Sequence, residues 1–231
     1  MKAVPKQVKP DGGVRKIRVL IVDDHPLLRL GMRALIEQRS RYEVCGEADN
    51  SPEAIELAAR LKPDVAIVDI QLKSTDGIEL TKSLQAHSPE THILIVSVHD
   101  EEVYAERALR AGAKGYVMKQ QATEQLLNAI DQITAGDVYI SPRLKDRMLN
   151  RLFTHSPDKV ASPPELLSDR EFEVFRLIGN GYGTRAIAER LHLSVKTIDS
   201  YREHLKQKLN LGTSSDLVRY AIQWGKSQPA A

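Results

Sequence analysis

One short apolar segment limits the fold of this chain more than any other. Residues 65–68, Val-Ala-Ile-Val, form a continuous apolar run that is followed at once by Asp69. A strand in the middle of a parallel sheet has this composition, because helices cover both of its faces. Ligands of open α/β sheets sit beyond the carboxyl ends of the strands. The segment therefore predicts an α/β fold with Asp69 at the edge of the sheet where ligands bind.

Four more strand patterns alternate with helical patterns along residues 17–135. The predicted strands are Ile17–Val22, Tyr42–Ala48, His92–Ser97 and Gly115–Met118. Each is followed by a segment whose apolar residues recur at helical spacing. Five alternating β–α units predict one five-stranded parallel sheet with helices on both faces.

Polar residues follow or end four of these strands. Asp23 and Asp24 follow the first strand, and Asp69 follows the third. Ser97 ends the fourth, and Lys119 follows the fifth. Carboxylates that meet at one edge repel one another, and Mg²⁺ with oxygen ligands relieves that repulsion. We predict that Asp23 and Asp24 hold Mg²⁺ and that Asp69 is a nucleophile that becomes an aspartyl phosphate. Lys119 then pairs with the phosphoryl group, and Ser97 donates a hydrogen bond to it.

Composition favours a soluble, cytoplasmic protein. Hydrophobic residues make up 42% of the 231 residues and charged residues 28%, which is ordinary for a globular chain. No apolar stretch approaches the length of a membrane span, so we expect no membrane contact. The single Cys45 excludes an internal disulfide and fits a reducing compartment. Residues 1–16 are basic and polar and predict a disordered tail without an assigned role.

Charge is distributed unevenly along the chain. Residues 17–135 carry 13 Lys and Arg against 19 Asp and Glu, whereas residues 166–231 carry 10 against 7. An acidic segment joined to a basic one indicates two separate tasks. The basic segment is the candidate for a polyanionic partner.

The strand pattern stops after residue 135. Residues 136–165 are polar and Pro-rich and predict a linker with one short helix. From there to residue 226 the pattern predicts four short helices, the first opened by a capping box at Ser168 and Glu171. The second and third are joined by a short turn, and the third is basic, which predicts a helix-turn-helix. Its third helix would enter the major groove of DNA.

The residues at the strand ends resemble the receiver domain of bacterial two-component response regulators, which has a flavodoxin-like, CheY-like fold. The matching segments are Val22-Asp23-Asp24-His25, Val68-Asp69-Ile70, Ser97 and Gly115-Tyr116-Val117-Met118-Lys119. The resemblance implies that a sensor histidine kinase phosphorylates Asp69 with Mg²⁺ present and that the backbone carbonyl of Gln71 joins the metal ligands. It also implies a switch in which Ser97 moves toward the phosphate and Tyr116 rotates inward.

The loop after Asp69 departs from the family at one position. Lys73 stands where the family usually has Pro, which removes a rigid φ and adds a charge. The direction of its effect on dephosphorylation is left open. Gln71 and His99 flank the expected phosphate and are predicted to tune its lifetime, with solvent-facing loop positions as the alternative.

Residues 166–226 resemble the LuxR/FixJ/NarL-type output domain. The resemblance rests on Leu167-Ser168-Asp169-Arg170-Glu171, Ile187-Ala188, Leu193-Ser194, Thr197-Ile198, Lys208-Leu209 and Leu217-Val218-Arg219-Tyr220-Ala221. It implies DNA contacts at Lys196, Thr197, Ser200, Tyr201, Arg202 and Lys208. It also implies a dimer contact at Leu217, Tyr220, Ala221 and Trp224, with ordinary core packing as the alternative. Asp199, Glu203 and Thr184-Arg185 depart from the family, so no DNA sequence preference is carried over.

These features predict a transcriptional response regulator that is not an enzyme beyond slow self-dephosphorylation. Phosphorylation of Asp69 is expected to promote dimerisation or to release the helical domain from the receiver domain. Its expected partners are a sensor histidine kinase, promoter DNA with two half-sites one helical turn apart, and a second copy of the chain. RNA polymerase is a candidate further partner. The alternatives are a helical module that binds protein instead of DNA, a dimer that forms without phosphorylation, and an Mg²⁺-dependent phosphohydrolase. The last is disfavoured because no insertion encloses a substrate. The kinase, its signal, the promoters and the direction of regulation stay open.

Overall fold

The computed structural model of the chain describes residues 15–72, 76–153, 163–191 and 193–227. Five strands form one parallel sheet in the order β2-β1-β3-β4-β5. They are β1 Ile17–Val22, β2 Tyr42–Ala48, β3 Val65–Val68, β4 His92–Ser97 and β5 Gly115–Met118. The expected five-stranded parallel fold is confirmed, and β3 lies at its centre.

Five helices cover the two faces of the sheet. They are α1 Pro26–Glu37, α2 Ser51–Leu61, α3 Gly77–His87, α4 Glu101–Arg110 and α5 Ala122–Thr134. Alternate residues of each strand point to opposite faces, so the sheet separates two apolar clusters. One cluster joins the sheet to α1 and α5, and the other joins it to α2, α3 and α4. The carboxyl ends of the strands are left open between these layers.

The segment after α5 lies on the α/β domain rather than apart from it. Tyr139 pairs with Gly115 of β5. Helix α6, Pro142–Phe153, buries Leu144 and forms ion pairs from Arg143 and Arg147 to Glu102 of α4. The first half of the predicted linker is therefore part of the receiver surface. The predicted tail up to residue 14 and linker residues 154–162 lie outside the described residues.

The helical domain begins with the short helix α7, Pro163–Leu166, and continues with four longer ones. These are α8 Asp169–Gly179, α9 Thr184–Arg190, α10 Val195–Lys208 and α11 Ser214–Ser227. The predicted capping box is present, because the Ser168 side chain accepts from the Glu171 amide while Glu171 accepts from the Ser168 amide. Helices α9 and α10 form the helix-turn-helix. Across all the described ranges, no helix is both long and apolar enough to cross a membrane.

Candidate functional site

The carboxyl ends of β1, β3 and β5 bring three charged side chains together. The Nζ of Lys119 lies 2.7 Å from Oδ2 of Asp69 and 2.7 Å from Oδ2 of Asp23. Asp69 and Asp23 are 2% and 1% exposed, and the Lys119 side chain is 9% exposed. The position of Asp69 follows from sheet pairing, since its amide donates to the carbonyl of Val22. Three of the predicted site residues therefore form one buried cluster.

Gly77 allows the loop after Asp69 to return close to the strand. Its amide donates to the carbonyl of Ile70, and a Cβ at Gly77 would lie 2.0 Å from the carbonyl oxygen of Asp69. Asp76 then caps α3 by accepting from the amide of Ile78. Asp76 and Gly77 thus hold the start of α3 against the residues that follow β3. Lys73, which replaces the usual Pro, lies outside the described residues.

The electrostatics of the cluster are set by burial and by the shared cation. Burial raises the pKa of Asp69, and the neighbouring Asp23 raises it further, while Lys119 and a backbone hydrogen bond from Gln71 oppose the shift. Burial lowers the pKa of Lys119, but the attraction of Asp69 and Asp23 outweighs it and leaves that pKa raised. Lys119 therefore stays charged, and it favours the ionised, nucleophilic form of Asp69.

The cluster has the donor set of a divalent cation site. Ligand atoms of Asp23, Asp24, His25 and Asp69 all lie within 4.8 Å of one another. Oδ1 of Asp69 is buried and, within the described part of the chain, has no hydrogen-bond donor. Carboxylate oxygens in this arrangement suit Mg²⁺. The residues present therefore fit the ion that the sequence predicted.

His25 was not predicted as a site residue. Its Nδ1 lies 2.7 Å from Oδ1 of Asp24 and 3.2 Å from Oδ1 of Asp23, and its amide donates to the latter oxygen. The side chain is mostly exposed. The only sequence signal was its place directly after the two acids. The contribution of the Gln71 carbonyl to a metal stays a prediction, and Gln71 itself is half-buried beside the site.

The predicted switch residues are connected through His99. Ser97 is buried, and its Oγ accepts from the amide of His99 at 3.3 Å. Tyr116 is 1% exposed, and its hydroxyl donates to the carbonyl oxygen of His99 at 2.8 Å. Tyr116 therefore already has the inward orientation that was expected after phosphorylation. Its rotation during switching stays a prediction.

The outward face of α10 is exposed and carries few of the predicted DNA contacts. Ser194 caps the helix by accepting from the amide of Thr197. Lys196 and Ser200 are exposed, as the sequence predicted for DNA contacts, and Arg202 is half-buried. Thr197 is tied to the cap, and Tyr201 packs against the core of the domain. The exposed residues of this face are Lys196, Asp199, Ser200, Glu203 and Gln207.

Lys208, a predicted DNA contact, forms an ion pair within the helical domain. Its Nζ lies 2.7 Å from Oε2 of Glu171, the buried acid of the capping box. Burial raises the pKa of Glu171, but the bonds from Lys208 and Ser168 outweigh it, and the pKa is lowered overall. Lys208 therefore anchors the end of α10 to the start of α8. The contact of Lys208 with DNA stays a prediction, since its side chain is 44% exposed beside this acid.

The residues predicted to form a dimer face point inward. Leu217 and Ala221 are buried. The rings of Tyr220 and Trp224 lie 5.9 and 5.6 Å from that of Phe175 on α8. The alternative of ordinary core packing therefore accounts for Leu217 and Ala221, whereas Tyr220 and Trp224 are half-buried. An apolar stripe at helical spacing marks a buried face without naming the surface that buries it. The opposite face of α11 lines a groove of about 790 Å³ with Val218 and Ile222.

Both the α/β domain and the helical domain match families of known proteins. Residues 19–131 match the response regulator receiver domain, and residues 165–221 match the bacterial regulatory proteins of the luxR family. The oxygen regulatory protein NreC of Staphylococcus carnosus is 35% identical over 211 residues, which cover 90% of this chain and 97% of NreC. The response regulator GacA of Pseudomonas aeruginosa is 33% identical over 215 residues, 93% of this chain and all of GacA.

Solved structures of RcsB, two of them from Salmonella, are similar to this chain over 90% of its length. One RcsB structure has a TM-score of 0.60 at 28% identity and covers 90% of this chain and 98% of RcsB. RcsB bound to the promoter rprA with the phosphomimetic BeF₃⁻ gives a TM-score of 0.57 at 27% identity, covering 90% and 99%. A structure of two RcsB dimers on two parallel DNAs has a TM-score of 0.54 at 29% identity. It covers 90% of this chain and 98% of that RcsB chain.

Proposed function

Because the chain belongs to the response regulators that join a receiver domain to a LuxR-type DNA-binding domain, we propose that phosphorylation of Asp69 controls its binding to DNA. The observation that carries the proposal is the buried cluster of Asp69, Lys119 and Asp23 at the strand ends. The chain is a DNA-binding regulator and not a classical enzyme. We expect it to act in the cytoplasm.

The proposed donor is the phosphohistidine of a sensor histidine kinase. A carboxylate oxygen of Asp69 attacks the phosphorus, the new O–P bond forms as the P–N bond breaks, and the donor imidazole leaves. Lys119 lies close enough to Asp69 to pair with the added phosphoryl oxygens. Slow hydrolysis of the aspartyl phosphate returns the chain to its starting state. Gln71 and His99 are the residues beside the site that we expect to tune this rate.

The acids of the cluster would hold Mg²⁺ during this transfer. Asp23, Asp24 and Asp69 supply carboxylate oxygens, and Gln71 is proposed to supply its carbonyl. The ion supplies positive charge that lowers the repulsion between the carboxylates and the incoming phosphoryl group. His25 contacts both Asp23 and Asp24, so it would orient these two acids.

The helical domain is proposed to bind promoter DNA through α9 and α10. The exposed face of α10 would lie in the major groove, with Lys196, Ser200 and Arg202 as the contacts retained from the sequence. RcsB is described on promoter DNA and as dimers on DNA, which supports a dimer here. Since Leu217 and Ala221 are buried in the core, we propose that Val218 and Ile222, which line the groove, form the contact on α11. Contact with RNA polymerase stays a prediction.

Phosphorylation is tested with acetyl phosphate as the donor. Wild type, Asp69→Ala and Asp24→Asn are incubated with and without Mg²⁺, and the added mass is measured on the intact chain and on its peptides. We expect one phosphoryl group on Asp69 in wild type with Mg²⁺, none in Asp69→Ala, and a much slower reaction in Asp24→Asn. Equal labelling of wild type and Asp69→Ala would overturn the proposal.

A further inference from the structure

A cavity of about 400 Å³ lies between the receiver domain and the helical domain. The loop after β4 and helix α4 line it on the receiver side, and α8 and the end of α9 line it on the other side. Arg176 of α8 donates through Nη1 to the hydroxyl of Tyr104 on α4 at 3.1 Å, which joins the two sides. Sites that bind small molecules have volumes of roughly 300–1,000 Å³. The cavity is therefore large enough for a small ligand that contacts both domains.

Two arginines give this cavity positive charge. Arg176 and Arg190 both line it, and the guanidinium of Arg190 lies 4.7 Å from the centre of the Tyr182 ring. Among the residues that the structure describes, neither arginine forms an ion pair with an acid. Glu173 also lines the cavity, but it is paired with Arg170 at 2.8 Å. Guanidinium groups without an acidic partner favour an anion, and their planar donors match the two oxygens of a carboxylate.

His99 offers an unused polar atom to the same cavity. Its imidazole lines the cavity and stacks on Tyr104, with centroids 4.7 Å apart and planes 25° apart. Its Nε2 is buried and has no hydrogen-bond partner in the described part of the chain. Burial and the charges of Arg176 and Lys119 lower the pKa of His99 to about 4, so the ring is neutral near pH 7. A neutral imidazole with its proton on Nε2 can donate one hydrogen bond. Buried polar atoms are normally satisfied, so this nitrogen also favours a ligand with an acceptor oxygen.

Apolar side chains line another part of the cavity. Val98, Leu177 and Leu191 lie there with the ring of Tyr104. An inorganic anion brings no apolar surface to these side chains, whereas an aliphatic or aromatic body buries apolar area against them. The charged and apolar parts together therefore indicate an organic anion.

We propose that this cavity binds a small organic carboxylate with an apolar body, roughly the size of benzoate. The carboxylate accepts hydrogen bonds from Arg176 and from Nε2 of His99, and the exposed Arg190 adds positive charge from α9. Arg176 keeps its bond to Tyr104, because a guanidinium has further N–H donors. Since residues of both domains hold the ligand, its binding favours the arrangement in which the domains are in contact. The inference does not depend on phosphorylation of Asp69.

Binding is measured on the full, unphosphorylated chain without Mg²⁺. Benzoate is the probe, and benzamide is its neutral counterpart of similar shape. Isotope-labelled histidine side chains are followed by NMR, and the His99 signal is identified by its loss in His99→Phe. We expect benzoate to shift the His99 signal until it saturates, while the signal of His87, which is exposed on α3, stays in place. Benzamide should bind at least roughly tenfold more weakly, because hydrogen bonds to a charged acceptor are the stronger ones.

Two arginines of α9 provide a matched pair of variants. Arg190 lines the cavity, whereas Arg185 is exposed on the same helix and does not line it. We expect Arg190→Gln to weaken benzoate binding by roughly threefold, as for an exposed charge. Arg185→Gln should leave the affinity within about twofold of wild type. Arg176→Gln should cost roughly tenfold, because it removes a hydrogen bond to a charged group. Far-UV circular dichroism verifies that all three variants are folded.

Four results would overturn the proposal. The first is a His99 signal that shows no saturable shift with benzoate. The second is equal binding of benzamide, since the arginines would then contribute nothing. The third is equal binding of inorganic phosphate, because the site would then take any anion and the apolar wall would have no role. The fourth is equal weakening by Arg190→Gln and Arg185→Gln, which would assign the effect to the charge of the helical domain as a whole. No step uses a phosphoryl donor, so failure of the proposed function would leave these results unchanged.

Discussion

The Nζ of Lys119 lies 2.7 Å from Oδ2 of Asp69, and both side chains are almost fully removed from solvent. Because Asp23 receives the same ammonium group at the same distance, one cation compensates two buried carboxylates. Burial of either acid without a partner would favour its protonated form. The ion pair therefore stabilises the receiver domain and keeps Asp69 ready as a nucleophile.

Loss of this cation should destabilise the receiver domain. We expect Lys119→Met to lower the free energy of unfolding by about 3 kcal/mol, because it leaves buried charge uncompensated. Urea unfolding at pH 7.5 without Mg²⁺ measures the effect. Asp23→Asn in the same chain should recover part of the loss, and Lys114→Met at an exposed position should change the value by less than about 0.5 kcal/mol. An unchanged unfolding energy in Lys119→Met would count against the shared ion pair.

Gly77 should be needed for the shape of the site. An alanine Cβ there would meet the Asp69 carbonyl oxygen at 2.0 Å and the Cα of Ile70 at 2.7 Å. We expect Gly77→Ala to destabilise the receiver by at least about 1–3 kcal/mol and to slow phosphorylation. Gly31→Ala in α1 is the control, since its Cβ would meet nothing within 4 Å, and it should stabilise the chain by about 0.5–1 kcal/mol. Similar effects from both substitutions would contradict the steric account.

His99 should make stability depend on pH. Burial lowers its pKa from 6.5 to about 4, and the positive charges of Arg176 and Lys119 add to the effect. Between about pH 4 and pH 6.5, the unfolded chain therefore binds a proton at His99 more readily than the folded chain. The contribution of His99 to the free energy of unfolding is fully present above about pH 6.5 and is lost as the pH falls toward 4. The loss is at most about 3 kcal/mol. His99→Phe keeps a ring against Tyr104 and does not titrate, so its unfolding energy should fall less between pH 7.5 and 4.5. Identical pH profiles would disprove the role of His99.

Substitutions of Lys196 and Lys208 should have different effects, the first on DNA binding and the second on stability. Lys196→Ala should weaken binding to all DNA sequences and reduce the salt slope by about one, without changing the melting temperature. Lys208→Ala should lower the unfolding energy of the helical domain by about 1 kcal/mol, because it removes the partner of Glu171. Since the pKa of Glu171 is lowered below 4.5, this contribution is present above that pH and lost as the pH falls through the lowered value. If both variants reduced the salt dependence of DNA binding equally, Lys208 would also contact DNA.

The sheet and the phosphoryl site were largely predictable from the sequence. A buried parallel strand is apolar along its whole length, so the apolar run before Asp69 strongly favoured such a strand. All five strands occur at the predicted bounds, from Ile17–Val22 to Gly115–Met118. Because parallel strands end at one edge, Asp23, Asp69 and Lys119 were expected at the same edge. The long side chain of Lys119 then reaches past the end of β4, which lies between β3 and β5.

The surroundings of several other residues depend on contacts that leave no local pattern in the sequence. Tyr104 and Arg176 are 72 positions apart, and each belongs to a helix whose own sequence explains it without the other. The stripe that includes Leu217 and Ala221 shows that α11 is amphipathic, but only the fold reveals that α8 covers it. Lys208 has the same charge whether it meets a phosphate or Glu171, so its role needed the geometry.

The central claim is that phosphorylation of Asp69 controls DNA binding by this chain. The most direct test is fluorescence anisotropy with a duplex that wild type selects from a random-sequence library. Wild type and Asp69→Ala are compared with Mg²⁺, before and after acetyl phosphate. We expect wild type alone to bind more tightly after the donor, by roughly tenfold, and Asp69→Ala to keep one affinity in both conditions. An equal gain in both proteins, or a wild-type chain that carries the phosphoryl group and binds with unchanged affinity, would contradict the account.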